Sequence, residues 1–135
     1  MLVNVSYNDP DLQRRIDDTV GPVYGLMQRL RMGGNGSPRL DVTTCSEAIA
    51  ELFAQDNNAD RCHVELRPRG VIVRFRSLLE TYALVIPFRS LALFKSGAGY
   101  TLYSDTHRIQ FTGEPKGLQR FVRRVVQARA ELSEV

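Results

Sequence analysis

Short segments of alternating apolar and polar residues run over positions 63–112, and a basic amphipathic helical pattern follows them at once. A period of two sends side chains to opposite faces of a strand, whereas apolar residues every three or four line one side of a helix. The second half of the chain is therefore committed to a sheet followed by a closing helix. Val64 and Leu66 point one way and Glu65 and Arg67 the other; beyond a turn at Pro68-Arg69-Gly70, Val71, Val73 and Phe75 continue the inward face while Arg74 and Arg76 face out. Positions 77–80 turn the chain into a more fully apolar strand over 81–86, and Leu91, Leu93 and Phe94 continue it past a bend at Pro87. Hairpin connections at 95–99 and 104–106 join strands over 100–103 and 107–112. Connections this short force antiparallel neighbours. In the last segment Leu118, Phe121, Val122, Val125, Ala128 and Leu132 share an arc of about 120°, the width of a helix face lying on a core. Arg120, Arg123 and Arg124 fall outside that arc, and Arg129 sits at its end, its stem over apolar surface and its guanidinium free to reach water or the last carbonyls.

The first 60 residues are organised differently. Val3, Val5 and Tyr7 alternate as a short first strand. Asp9-Pro10-Asp11 supplies an N-cap, a proline suited to the first helical turn and an acidic group near the positive end of the dipole. Leu12, Ile16, Val20, Val23, Met27 and Leu30 then recur at helical spacing, with a break expected at Gly21-Pro22. Three glycines within positions 33–36 predict a mobile loop; they lack the Lys-Ser/Thr that a phosphate cradle requires. A strand over 39–43 follows, then Thr44 and Glu47 as a capping box for a second helix carrying Cys45, Ile49, Leu52 and Phe53 on one face. Positions 55–60 close it as a polar turn.

A chain of 135 residues fits one domain: a helical extension over 1–60 packed on a sheet-plus-helix unit over 61–135. Cys45 and Cys62 are too few for a disulfide framework, and the first residues lack the pattern of a secretory signal, so the expectation is a cytoplasmic protein with reduced thiols. No transmembrane segment is expected, since the best apolar run, 82–88, is strand-sized and contains Pro87. Positions 1–60 carry 5 basic and 9 acidic side chains, a net of −4, whereas 61–135 carry 13 and 6, a net of +7. That asymmetry fits an anionic partner for the basic half, two halves that face each other, or copies that pair as a homo-oligomer.

Residues 62–132 resemble a bacterial pleckstrin-homology-like domain. The likeness rests on Val64-Glu65-Leu66, Gly70-Val71-Ile72-Val73, the step from Leu84 to Leu91 with its Ile-Pro-Phe, Thr101-Leu102-Tyr103-Ser104-Asp105, Ile109-Gln110-Phe111 and Leu118-Gln119-Arg120-Phe121-Val122. The resemblance implies an α+β fold, a curved antiparallel sheet or barrel capped by a C-terminal helix, with the N-terminal helices as additions to the family pattern. It also implies a binding role for a lipid headgroup, a peptide or another subunit, and it places an anion site around Arg67, Arg69, Arg74 and Arg76 at the first tight turn. The plainer reading of these arginines is a solvated face paired with Glu65 and Glu80.

Other constellations carry less. Arg120, Arg123 and Arg124 could track a nucleic-acid backbone with Tyr100 and Tyr103 stacking bases, but no nucleic-acid motif accompanies them, and nucleic acid is disfavoured. Ser104-Asp105-Thr106-His107 holds the residue types of a hydrolytic triad, yet neighbours on a strand point to alternate faces. Cys45, Cys62, His63 and His107 lack the C-x-x-C spacing of a structural zinc site, so no metal or cofactor is expected. The sequence thus predicts no catalytic residues and a non-enzymatic binding module for a protein partner or an anionic lipid headgroup. The alternative from another class is a small-ligand enzyme with a pocket between the sheet and the N-terminal helices.

Overall fold

The computed structural model describes residues 1–56 and 60–133. Along the chain the elements are β1 (Leu2–Asn4), α1 (Pro10–Val20), α2 (Leu26–Met32), β2 (Leu40–Cys45), α3 (Glu47–Ala54), β3 (Arg61–Arg67), β4 (Gly70–Ser77), β5 (Glu80–Pro87), β6 (Ala92–Ser96), β7 (Gly99–Tyr103), β8 (Arg108–Thr112) and α4 (Pro115–Ser133), with a single 3-10 turn at Phe88–Ser90. The protein is α+β. Among the described residues eight strands form one sheet in the order β1-β5-β4-β3-β2-β8-β7-β6, antiparallel at every pairing.

Two meanders, β3-β4-β5 and β6-β7-β8, are spliced by β2, which pairs Leu40 with Cys62 on one side and Cys45 with Ile109 on the other. Pro87 ends β5 as a bend requires, but Leu91, Leu93 and Phe94 do not prolong that strand. The 3-10 turn carries the chain to the far edge of the sheet, where β6 pairs only with β7 among the described residues. Proline has no N–H for a ladder, so it marks where pairing stops and leaves the onward direction to packing.

Both meanders meet one core. Val64, Leu66, Val71, Leu84 and Ile86 from one side and Leu102, Ile109 and Phe111 from the other pack with Ile49 and Phe53 of α3 and with Leu118, Phe121, Val125 and Ala128 of α4. The sheet curves around α4 so closely that only about 10 Å³ stays open between them. Glu114 starts α4, its carboxylate accepting from the N–H groups of Lys116 at 3.1 Å and Gly117 at 2.5 Å. Near its other end Arg129 donates to the carbonyl of Leu91 at 2.9 Å, tying the helix to the crossover.

The opposite face of β4 and β5 is covered too. Ile16 and Val20 of α1 pack on Ile72, Ala83 and Val85, which explains why Val71–Val73 of β4 and Ala83–Ile86 of β5 are apolar without interruption. The approach is so close at Gly70 that a Cβ there would lie 2.6 Å from Val20 Cγ1 and collide with the Ile86 carbonyl. Asp9 caps α1 through Asp11 and Leu12, and Gly21 ends it at φ 89°, the break expected at Gly21-Pro22.

Two local expectations are corrected. Thr44 is not a helix cap: it lies in β2, its Oγ1 donating to Gln110 Oε1 at 3.0 Å and accepting from Arg108 at 2.8 Å, and α3 starts after Ser46. A strand partner in β8 outbids the local cap. The glycine segment is not a free loop, because Gly33 closes α2 in the left-handed region and the next residues run beside β3. There the Asn35 carbonyl accepts from Leu66 N–H at 2.7 Å, and Ser37 N–H donates to the Val64 carbonyl at 2.8 Å. The polar turn expected over 55–60 falls partly on 57–59, outside the described residues.

Candidate functional site

The four arginines singled out at the first hairpin divide into two pairs. Arg67 is 1% exposed and wholly engaged: Nε donates to Glu65 Oε2 at 2.6 Å, and Nη1 donates to Asp17 Oδ1 at 3.0 Å and to the Gly21 carbonyl at 2.9 Å. Its alternation parity is outward, as the sequence predicts, but outward here means beneath the end of α1. Arg69 lies at the same end, donating to the carbonyls of Asp17 and Asp18 at 3.1 Å each. Cations favour the carbonyl end of a helix, so Arg69 closes α1. Both side chains hold the end of the N-terminal helix; Arg67 is sealed beneath it, whereas Arg69 stays exposed.

Arg74 and Arg76 lie further along β4, toward its turn into β5. Arg74 pairs with Glu65, and Arg76 is exposed and makes no salt bridge among the described residues. Burial pushes the Glu65 carboxyl up, but hydrogen bonds from Arg74 and Arg67 override it and hold the group below the ordinary carboxylate range. On the same face Arg39 leads into β2 and Arg61 opens β3. Pairing of Leu40 with Cys62 and of Asp41 with Arg61 sets these guanidiniums beside His63. Arg61 makes a 3.7 Å contact with Asp41, and Arg39 makes no salt bridge among the described residues.

Together Arg39, Arg61, His63, Arg74, Arg76 and Thr81 line an open depression of about 650 Å³, with Asp56 as the one carboxylate on its lining. Burial, and then the positive charge of Arg74, lower the His63 imidazole below its usual value, with Glu65 opposing. The ring is therefore neutral near pH 7. One rim is the β4–β5 turn, where Leu79 is 87% exposed and Leu78 stands in the left-handed region at φ 56°. Leu78 N–H donates to Asp56 Oδ2 at 2.7 Å, which steadies a conformation that ordinary side chains avoid.

Sequence reasoning missed Arg39 and Arg61, because only the β2–β3 pairing brings them to Arg74 and Arg76. The readable signal was parity: Arg61, His63 and Glu65 alternate outward on one strand.

The helix arginines sit elsewhere. Arg120 and Arg123 are exposed on α4, and Arg123 and Arg124 border a cleft of about 340 Å³ against Tyr24, Arg31 and Met32. Tyr100 and Tyr103 lie on β7, away from that cleft. His107 meets Ser46 at 3.3 Å between Nδ1 and Oγ, and Ser104 N–H and Oγ bond the backbone of His107 across the β7–β8 turn, so these polar residues knit a hairpin. Among the described residues no group of three or more His, Cys, Asp or Glu could hold a metal ion, and no helix is long and apolar enough to cross a membrane. Where α1 meets the sheet, Ile16, Val20, Ile72, Ala83 and Val85 fill the contact. Comparisons with family models, with curated proteins and with solved structures returned no match.

Proposed function

We propose that the protein is a non-enzymatic binding module, akin to bacterial pleckstrin-homology-like domains, whose ligand presents a phosphate or carboxylate to Arg39, Arg61, Arg74 and Arg76. The observation that carries this reading is the gathering of four guanidiniums and one imidazole around one lining carboxylate, Asp56, on an open face, with Arg39 and Arg76 in no salt bridge among the described residues. Planar guanidiniums suit oxyanions through paired charge-assisted hydrogen bonds. Leu78 and Leu79 add apolar contact for whatever bears the anion. Two meanders curved around a C-terminal helix support the family likeness. A cytoplasmic setting suits free Cys45 and Cys62.

The ligand is a headgroup or an acidic segment of a partner protein, and two titrations followed by NMR separate them: one with inositol trisphosphate, one with an acidic peptide. An anion beside His63 favours imidazolium, so the His63 pKa rises on binding. The double variant Arg39→Glu, Arg76→Glu loses about tenfold or more in affinity for whichever ligand binds. If neither ligand moves the His63 resonances, the proposal fails.

A further inference from the structure

The helix α2 buries none of its seven residues, and Leu26, Met27 and Leu30 are 65–69% exposed. They form one stripe, spaced by three and four, and Val23, exposed in the segment just before the helix, adds a further apolar side chain. So short a helix is marginal alone, and here it is held at both ends. Tyr24 and Met32 pack against the core, while Gly33 and Gly34 return N–H groups to the carbonyls of Leu30 and Arg29 at 3.3 and 2.8 Å. The stripe is thus presented on a fixed support, at the β3–β4 turn end of the sheet and remote from the depression at the β4–β5 turn.

The surroundings specify an occupant. No carboxylate occurs between Asp18 and Asp41, while Arg29 and Arg31 lie on α2 itself. Arg123 and Arg124 of α4 border the adjoining cleft of about 340 Å³, where Glu131 is the one acidic side chain. A second copy laid face to face would set arginines against arginines. A projecting apolar stripe flanked by Arg29 and Arg31, with Arg123 and Arg124 across the adjoining cleft, instead matches an anionic bilayer, whose phosphates lie just above its acyl chains.

We propose that α2 is a membrane-docking helix: Val23, Leu26, Met27 and Leu30 enter the interface of an anionic bilayer while Arg29, Arg31, Arg123 and Arg124 engage lipid phosphates. This surface shares no residue with the arginine-lined depression and stands independently of the ligand bound there.

Co-sedimentation tests it, using phosphatidylcholine vesicles with and without about one third phosphatidylserine. The wild-type protein pellets with the anionic vesicles and releases in high salt. Leu26→Gln with Leu30→Gln, and separately Arg29→Glu with Arg31→Glu, lower vesicle affinity about tenfold or more. These positions are exposed, so both variants keep the wild-type circular dichroism. Lys95→Glu with Lys116→Glu, the same change of charge at exposed positions outside both surfaces, pellets as wild type, so the loss at α2 is not one of net charge. The proposal is overturned by a wild type that ignores anionic vesicles, or by double variants at α2 that bind unchanged. It is equally overturned if the wild type is a dimer that the leucine variant makes monomeric, or if the same arginines hold polyglutamate but not vesicles.

Discussion

Replacing Arg67 by alanine tests whether the buried guanidinium holds α1 to the sheet. The variant removes three hydrogen bonds, to Glu65, Asp17 and the Gly21 carbonyl. Their weights differ, because the Asp17 side chain is 38% exposed and that of Glu65 only 16%. Breaking a buried ion pair costs about 3–5 kcal/mol, whereas an exposed one is worth under about 1 kcal/mol. Glu65 keeps Arg74, which softens its share, while the Gly21 carbonyl loses its side-chain donor and the arginine stem leaves a cavity. The expected total is about 3 kcal/mol in urea unfolding followed by circular dichroism, or roughly 6–12 °C in Tm for a chain of this size. Arg67→Met restores volume without donors and should lose about half as much. The dependence on pH supplies a second reading. The Glu65 carboxyl sits below its unfolded value of 4.5 in the native protein, so its contribution is full above 4.5 and fades as pH falls through the lower native value. Without Arg67 one restraining hydrogen bond is gone and burial still pushes upward, so the fade begins at a higher pH. A loss below about 1 kcal/mol in Arg67→Ala, with an unaltered acid limb, would refute the docking role.

Gly70→Ala forces a methyl group against Val20 and the Ile86 carbonyl and should destabilise by about 1–3 kcal/mol, while Gly36→Ala enters open space and should change stability by under about 0.5 kcal/mol. Equal stabilities by urea titration would contradict the close α1–sheet approach. Burial pushes the Cys62 thiol up to about 12, so iodoacetamide near neutral pH should alkylate half-buried Cys45 well before Cys62, as read by peptide mass spectrometry. Matching rates at the two positions would mean that Cys62 is not sealed in the core.

Much of the architecture is legible locally. Hairpins at Pro68-Arg69 and around Gly97, the stop at Gly21-Pro22 and the apolar face of α4 all follow from turn chemistry and period. What escapes is long-range. Nothing near Pro87 says that the chain crosses to the far edge, and nothing near residues 39–43 says that this strand lies between the two meanders. The site inherits the same blindness. Arg67 and Arg74 have the same outward parity, yet one is sealed under α1 because its partner Asp17 lies fifty positions away. Arg39 and Arg61 become neighbours of Arg74 only once β2 is seated.

The position of β2 has a bearing on how this molecule is made. A strand that leaves the ribosome before either meander is the seam that both require, and its Val42 waits for Phe111, close to the last helix. Such distant partners slow folding and discourage half-built forms. Assembly is accordingly expected to be cooperative, with the nascent amino-terminal portion unable to settle until β8 emerges.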